Sequence, residues 1–386
     1  MKKSTNQQEV SSKRGRRLLA AGLFFVGLMV CFAIGVSTAQ AQTYNVKSMG
    51  LLEGMKVCVP AAMNGVGQVA GTATAGEQHA AFLYYYNGKE EEMEDVGGLG
   101  SRGFGINPAG IIVGDFYLPK PSGSISHAAL FKGGIPIDLG VLKGQLFSRA
   151  NGMNALRQVV GYSGLKRDSD ESRAFIWTSK TGMIDIGTLG GAYAQAFAIN
   201  DAGFVTGTSD LPSMFGANHA FIYQPLSDSE RYWEPMRDLG TLGGTSSYGT
   251  AINLSNHVVG YSTLKPLDGV VHAFFHGGER MIDLGSLDKE GFEFSAALAV
   301  NNADQVVGIS YRLTPGTGQL NQTAFIWNRK GPGKGEMMNL NTLIATPTKT
   351  FWLLSATAIN DSGEIVASAY DYANNTVVAV LLTPIK

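Results

Sequence analysis

Short apolar runs separated by glycine-rich turns recur along this chain at a nearly constant interval. The run AFAIN at 196–200 is followed by a turn and by the run FVTG, and a similar arrangement returns as GTAIN at 249–253 and VVG. Apolar runs of roughly four to eight residues that are rich in β-branched and aromatic types predict β-strands. Seven copies of the first run end in Asn, at Asn64, Asn107, Asn154, Asn200, Asn253, Asn301 and Asn360.

Each copy contains four such runs, which predicts one four-stranded antiparallel sheet per copy. After the second run, the copies that match one another best continue with HAFIY at 219–223 and RDLG at 237–240. Seven copies over residues 42–386 give about 49 residues per copy, which lies in the range of propeller repeats. One small sheet cannot bury both of its faces, so packing blades around an axis is the predicted solution.

The turn after each Asn carries its own signal. The third residue after the Asn is mostly of a type that tolerates positive φ at the end of a short hairpin loop, namely Gly in four copies, Asn256 and Asp304. The Asn itself is predicted to close the turn with its side chain. Arg157 is the exception at this position, and we expect strain or a different turn there.

The two ends of the repeat array predict how the ring closes. The last copy reaches Lys386 after its third strand, whereas Tyr44–Gly54 resembles an isolated fourth strand. An N-terminal strand that completes the last blade would leave no free sheet edge. The chain is therefore predicted to be an all-β, closed β-propeller with seven four-stranded blades, with six or eight blades as the alternatives.

The N-terminal segment predicts export. Basic residues precede an apolar run at 18–36, and Ala39–Ala41 fits a cleavage site, so residues 1–41 are predicted to be a signal peptide. The run is also long enough to span a membrane, so an uncleaved anchor is the alternative and the only predicted membrane contact. Residues 42–386 would then form one propeller domain in the periplasm or outside the cell.

Composition narrows the possible partners. A formal net charge of −1 and a charged fraction of 16% offer no basic field for nucleic acid or anionic lipid. Cys58 is the one cysteine after residue 41, so the mature chain cannot form an internal disulfide. No nucleotide, zinc or serine-nucleophile motif is present in the sequence, and no cofactor is predicted.

The repeated pattern His-Ala-Phe, Asp-Leu-Gly-Thr-Leu-Gly-Gly and Ala-Ile-Asn resembles the HAF repeat family of bacterial proteins that are expected to be extracellular. The resemblance covers nearly all of residues 44–386, and the copies at 185–207 and 219–260 carry it best. It implies an exported repeat protein. It provides no catalytic residues to transfer.

Two sets of repeated polar residues raise the possibility of a metal or a catalytic site. Four repeat histidines lie far apart in sequence, unlike the close paired ligands of a zinc site, and we expect each to hydrogen-bond between neighbouring strands or blades. The acid of each fourth strand is expected to accept hydrogen bonds from the turn after it. These residues are His79, His127, His219 and His272, and Asp95, Asp138, Asp185, Asp238 and Asp283.

Catalysis would require acids that break the repeat, because a group present in every blade has a structural task. Such acids are Asp115, Asp168, Asp170, Glu171, Asp210 and Asp268. A carbohydrate-active enzyme, either a lyase or a glycosidase, is the alternative function, for example with Asp115 and Asp168 as its acid pair. No catalytic or metal-binding residue is predicted.

The predicted binding residues are aromatic and lie between a fourth strand and the first strand of the next blade. The loops from second to third strand and from blade to blade share one face of a propeller and vary in sequence here. Exposed rings on this face would bind a glycan or a protein. The predicted anchors are Tyr193, Tyr248, Phe292, Phe294 and Trp352. The sequence thus favours a binding or surface-interaction module over an enzyme.

Overall fold

The computed structural model describes residues 41–86, 88–118, 125–165, 171–212, 217–224, 236–266, 269–287, 293–314, 319–330, 335–345 and 350–385. Within these ranges the chain forms β-strands and one short 3₁₀ helix, Leu340–Leu343. The predicted signal peptide or anchor lies outside the described residues except for Ala41. In the described part of the chain, no helix is long and apolar enough to span a membrane.

The strands form seven four-stranded antiparallel sheets, which are the blades. The first strand of the chain, β1 (Tyr44–Ser48), belongs to the last blade. Blade 1 contains β2 (Val57–Met63), β3 (Val69–Ala75), β4 (Gln78–Tyr86) and β5 (Glu91–Leu99). Blade 2 contains β6 (Ser101–Ile106), β7 (Ile112–Leu118), β8 (Ile125–Lys132) and β9 (Ile135–Asp138). Blade 3 contains β10 (Phe147–Met153), β11 (Val159–Gly164), β12 (Arg173–Thr178) and β13 (Gly182–Asp185).

The remaining four blades repeat the same plan. Blade 4 contains β14 (Ala194–Ile199), β15 (Val205–Asp210), β16 (Asn218–Tyr223) and β17 (Arg237–Asp238). Blade 5 contains β18 (Ser247–Ile252), β19 (Val258–Thr263), β20 (Val271–His276) and β21 (Met281–Asp283). Blade 6 contains β22 (Phe294–Val300), β23 (Gln305–Leu313), β24 (Leu320–Asn328) and β25 (Met337–Asn339). Blade 7 contains β26 (Phe351–Ile359), β27 (Ile365–Asp371), β28 (Thr376–Pro384) and β1.

The structure confirms the predicted seven-bladed propeller and its closure. β1 pairs antiparallel with β28 from Tyr44 opposite Pro384 to Ser48 opposite Val380. Tyr44 is buried among residues of blades 6 and 7. The N-terminal strand therefore supplies the fourth strand that the last repeat lacks.

The first strand of each blade lies innermost, because these strands contact one another around the axis. Each of them carries a β-bulge three residues before its Asn, where one residue on this strand has no opposite partner. The bulge residues are Ala61, Phe104, Asn151, Phe197, Thr250, Leu298 and Thr357.

The Asn turns are built as the sequence predicts, and they also link the blades. In the turn after Asn200, the Gly203 N–H donates to the Asn200 carbonyl at 3.0 Å, and the side-chain oxygen of Asn200 accepts from Phe204 N–H at 3.0 Å. The Nδ2 atom of Asn200 donates to the carbonyl of Asn253 in the next blade at 2.9 Å. Arg157 adopts a φ of 61° in the same turn, so the alternative of a different turn there is wrong.

The link from Asn to Asn is present at five of the seven blade junctions: 1 to 2, 3 to 4, 4 to 5, 5 to 6 and 6 to 7. At the junction of blades 2 and 3, the buried Nδ2 atom of Asn107 has no partner. At the junction of blades 7 and 1, Asn360 donates to Glu364 in its own blade at 2.7 Å. We call this set of side-chain amides the Asn ring.

A glycine in the second strand permits close contact with the innermost strand. A Cβ atom on Gly260 would lie 1.8 Å from the carbonyl oxygen of Tyr248, and the equivalent glycines of five other blades are also blocked by that backbone oxygen. Blade 7 has Ala367 at this position, and its innermost strand has a second bulge, between Leu353 and Ser355. The extra bulge explains why a methyl group fits only in that blade.

The repeated His-Ala-Phe and Asp-Leu-Gly residues join blades at four of the seven junctions. At the junction of blades 4 and 5, the Oγ atom of Ser247 accepts from Ala220 N–H at 2.8 Å and donates to the Gly240 carbonyl at 2.6 Å. Gly240 N–H in turn donates to the Asp238 carboxylate at 2.7 Å. Equivalent serines make the same two bonds at three other junctions: Ser101, Ser148 and Ser295. The repeated signature is thus a set of structural contacts.

Candidate functional site

Three of the four repeat histidines are bonded to the repeat acids within their own blades, whereas the buried Nδ1 atom of His79 has no hydrogen-bond partner and does not make the predicted bond. The Nδ1 atom of His127 lies 3.0 Å from the Asp138 carboxylate. The equivalent distances are 2.8 Å from His219 to Asp238 and 2.9 Å from His272 to Asp283. Arg173 and Asp185 form the equivalent pair in blade 3, and the Thr323 hydroxyl bonds Asn339 in blade 6. In the described ranges, no group of three or more His, Cys, Asp or Glu side chains could hold a metal ion.

The acids of these pairs make folding sensitive to low pH. Burial acts to raise the pKa of Asp238 and of Asp283, but the hydrogen bonds from His219, His272 and the following Gly N–H groups lower both pKa values by more. The net pKa in the fold is therefore below the unfolded value of 3.8. The resulting stabilisation is complete above that value and is lost as the pH falls through the lower, folded pKa.

We therefore expect Asp238→Asn to reduce the acid sensitivity of the free energy of unfolding. The interval from pH 5 to pH 3 brackets the pKa of Asp in the unfolded chain. Over this interval, the free energy of unfolding should fall by less in the variant than in the parent chain. The effect should be below about 1 kcal/mol, because solvent screens this partly exposed pair. Urea unfolding at both pH values measures it, and equal losses in the two proteins would contradict the assignment.

Two of the acids that break the repeat, Asp115 and Asp210, are engaged in the fold, whereas Glu171 is exposed and Asp170 and Asp268 lie outside the described residues. Asp115 is buried and accepts two hydrogen bonds from the Arg102 guanidinium, one of them at 2.8 Å from Nε. Asp210 accepts from the backbone N–H groups of Ala192 and Tyr193 at 3.0 and 2.8 Å. Asp168 lies outside the described residues.

The predicted aromatic anchors lie at the entrances of the innermost strands. Tyr193 directly precedes β14, whereas Tyr248, Phe294 and Trp352 are the second, first and second residues of β18, β22 and β26. All four are partly exposed, and Phe292 lies outside the described residues. The prediction that these rings lie in the loops between strands is therefore wrong for the three that begin strands.

Cross-strand ring contacts explain this difference. The Tyr248 ring stacks on Tyr261 with centroids 4.8 Å apart, and the Phe294 ring stacks on Tyr311 at 5.1 Å. The Trp352 Nε1 atom donates to the carbonyl of Gln322 at 2.9 Å. Each pair of stacked rings extends the pairing of the first and second strands by fixing residues that sequence patterns assign to a loop. Burial raises the pKa of Tyr261 to about 12.

The axial channel has two unlike walls. Residues five and three positions before each Asn are partly or fully exposed although their strands are surrounded by other strands, so the channel is the space that they border. In blades 2 to 5 these residues are mostly large or polar: Arg102, Phe104, Arg149, Asn151, Gln195, Phe197, Tyr248 and Thr250. In blades 6, 7 and 1 they are uncharged and small or of moderate size: Ala296, Leu298, Ser355, Thr357, Val59 and Ala61.

Two guanidinium groups contact one ring on the wall of large residues. The Cζ atom of Arg149 lies 3.6 Å from the ring centroid of Phe104, and that of Arg102 lies 5.5 Å from the same centroid. This cluster is not among the residues predicted from the sequence. Its signal was present, because charged and aromatic residues occupy inner-strand positions where other repeats have smaller, uncharged ones.

A polar cavity of about 220 Å³ lies at the opposite end of the channel, among the Asn turns. Asn200, Asn253, Asn301 and Asn360 line it together with Asp201 and Asp361. These groups bond one another or nearby backbone: Asp201 accepts from Ala155 N–H, and Asp361 accepts from Asn302. The cavity is thus formed by the contacts of the Asn ring and its neighbours.

Comparison with solved structures finds propellers at low identity. The β-propeller domain of the Trilobed protease from Pyrococcus furiosus matches at 11% identity and a TM-score of 0.49, covering 86% of this chain and 98% of that chain. Pyrococcus horikoshii acylaminoacyl peptidase matches at 10% identity and a TM-score of 0.49, covering 89% of this chain and 52% of that chain. Trypanosoma rangeli sialidase matches at 10% identity and a TM-score of 0.38, covering 89% of this chain and 57% of that chain.

Sequence comparison yields one family and overturns one prediction. The curated proteins contain no match to this chain. Residues 191–380, from just before β14 into β28, match the family described as "Protein of unknown function (DUF3466)", which is uncharacterised. No match to the HAF repeat family is found, so the predicted membership of that family is wrong. Over blades 4 to 7, the chain is similar to the DUF3466 proteins.

Proposed function

We propose that this protein is an exported binding module that holds a glycan where the axial channel opens among the variable loops. The observation that carries the proposal is the set of partly exposed rings at the entrances of four successive innermost strands, in blades 4 to 7. Flat aromatic surface binds a sugar face at low entropic cost. The repeated polar residues are not proposed as ligand-binding groups, since most of them form hydrogen bonds within and between the blades.

A protein ligand is the other partner that exposed rings suit, and an enzyme is the other class of function. A catalytic role has less support, because Asp115 is committed to Arg102 and Asp210 to backbone N–H groups. A purified protein that cleaved any member of a polysaccharide panel would replace the binding proposal.

Removal of two rings from the channel entrance should weaken binding without unfolding the propeller. We expect Tyr193→Ala with Trp352→Ala to lower the affinity for a glycan found on an array by roughly 30-fold or more, as expected when anchors worth about 2 kcal/mol or more are lost. Calorimetric titration measures the affinity.

Tyr86→Ala is the matched control, because this ring is 66% exposed and lies at the end of a third strand, away from the channel entrance. The control should bind like the parent chain. Normal binding by the double variant would show that the ligand lies elsewhere. So would a larger loss from Asn302→Ala, in the Asn turns.

A further inference from the structure

One guanidinium on the channel wall lacks an acceptor. The Nε atom of Arg149 is buried and has no hydrogen-bond partner, and no salt bridge to Arg149 occurs in the described part of the chain. The residue as a whole is only partly buried and belongs to the innermost strand β10. A buried donor without a partner destabilises the free protein, and an acceptor on a ligand would remove that cost.

The Arg149 guanidinium contacts an aromatic ring and forms no hydrogen bond through its Nε atom. The guanidinium stacks on Phe104 through its flat face, with Cζ 3.6 Å from the ring centroid. A stacked guanidinium still directs its donors outward in its own plane, where they match the two oxygens of a carboxylate. Phe104 thus packs against the guanidinium without occupying its hydrogen-bond donors.

The neighbouring charges favour an anion at this position. Arg102 lies against the same ring and is bonded at two atoms to Asp115, so that pair is neutral together. Arg149 adds a positive charge without a counterion among the described residues. A carboxylate that bound it would form a charge-assisted pair in a half-buried place, where solvent screens the attraction less.

We propose that Arg149 binds the carboxylate of an acidic sugar residue at the end of a glycan that enters the axial channel. This inference rests on the proposed function and specifies its ligand. Gln195 and Tyr248 occupy the equivalent wall position in the next two blades, and they offer an amide and a ring to the hydroxyl edge and the apolar face of a sugar. Ala296 and Ser355 on the opposite wall are small and uncharged.

The test compares two sugars that differ in one group. D-glucuronic acid carries a carboxylate where D-glucose carries a hydroxymethyl group. By calorimetric titration, glucuronic acid should bind the parent chain at least about 10-fold more tightly than glucose. Arg149→Gln should lower the affinity for glucuronic acid by roughly 10- to 100-fold, the range for one lost charge-assisted hydrogen bond, and should leave the affinity for glucose unchanged.

Two further variants separate charge from packing. Arg149→Lys keeps the charge but loses the paired donors, so its affinity for glucuronic acid should lie between those of the parent and the Gln variant. Arg280→Gln removes an exposed positive charge from the hairpin between β20 and β21, and should bind both sugars like the parent chain. Because Arg149 has an unpaired donor, Arg149→Gln should melt at the temperature of the parent chain or slightly above it.

Three results would overturn the inference. Equal binding of glucuronic acid and glucose, unaffected by Arg149→Gln, would reject the preference for an acidic sugar. The proposed glycan function would still stand if the Tyr193 and Trp352 double variant lost binding. If the protein bound a Glu-rich peptide more tightly than either sugar, and this binding depended on Arg149, the proposed ligand class would be wrong. A melting temperature lowered by Arg149→Gln, with glucose and glucuronic acid weakened alike, would assign Arg149 a packing role. Failure to bind any glycan on an array would also reject the proposed function.

Discussion

Deletion of residues 44–54 is expected to lower the free energy of unfolding by at least about 5 kcal/mol, a large share of the stability of an ordinary domain. The deletion removes β1 and three buried side chains, those of Tyr44, Met49 and Leu52. Loss of each large buried side chain costs about 2–5 kcal/mol. It also exposes the edge of β28, whose backbone groups would lose their partners.

Urea unfolding of chains that begin at Gln42 and at Met55 measures this loss. A point substitution gives a milder version, because Tyr44→Ala should cost about 3–5 kcal/mol, the range for a buried aromatic ring. Tyr86→Ala, at a ring that is 66% exposed, should cost less than about 0.5 kcal/mol. Indistinguishable unfolding curves for the two starting points would mean that β1 does not close the ring in solution.

The second large effect is expected from one methyl group. Gly260→Ala should destabilise the propeller by at least about 3 kcal/mol, at the high end for overpacking. The added Cβ would lie 1.8 Å from the Tyr248 carbonyl oxygen, and a backbone atom of a paired strand cannot move aside as a flexible side chain can. Relief would require a new bulge in β18, which would disturb the Tyr248 and Tyr261 pair.

Gly65→Ala is the matched control, because a Cβ there meets nothing within 4 Å. It should be neutral or slightly stabilising, since alanine restricts the unfolded chain. Ala367→Gly tests the same idea in blade 7, where the second bulge already provides room, and should cost about 1 kcal/mol or less. Thermal unfolding of the three variants measures the effects. A Gly260 variant as stable as the Gly65 variant would show that the strands can move apart at little cost.

Local and repeated signals account for what the sequence could predict. The Asn turn is defined by a side chain that bonds its own backbone within four residues, so its signal is contained in a few consecutive letters. Seven repetitions of that signal predict the number of blades. The shape of Tyr44–Gly54 as an isolated fourth strand predicts the closure, because it matches the part that the last repeat lacks.

The channel wall is not evident from the pattern of a single strand and appears only when the repeats are compared position by position. Both faces of a propeller blade are covered by neighbouring blades, so an alternating pattern does not reveal which residues border the axis. In the sequence, Arg102 and Arg149 therefore look like ordinary strand residues. The bulges and the contacts with Phe104 show that they lie on the channel wall. Three of the aromatic anchors lie in strands and not in loops for a related reason, since stacking such as that of Phe294 on Tyr311 depends on the register of two paired strands.

The two missing links of the Asn ring divide the molecule into unequal arcs. Blades 3 to 7 are joined without interruption by side-chain amides, as are blades 1 and 2, while the junctions of blades 2 with 3 and 7 with 1 lack this bond. Partial opening events follow weakly restrained boundaries of a fold, so the loss of this amide bond favours opening at the two junctions, although Ser148 still links blades 2 and 3. Arg149 and Phe104 lie on opposite sides of one such seam. An anion bound there would contact residues next to this junction and restrain its opening. Binding in the channel would then slow hydrogen exchange throughout the ring.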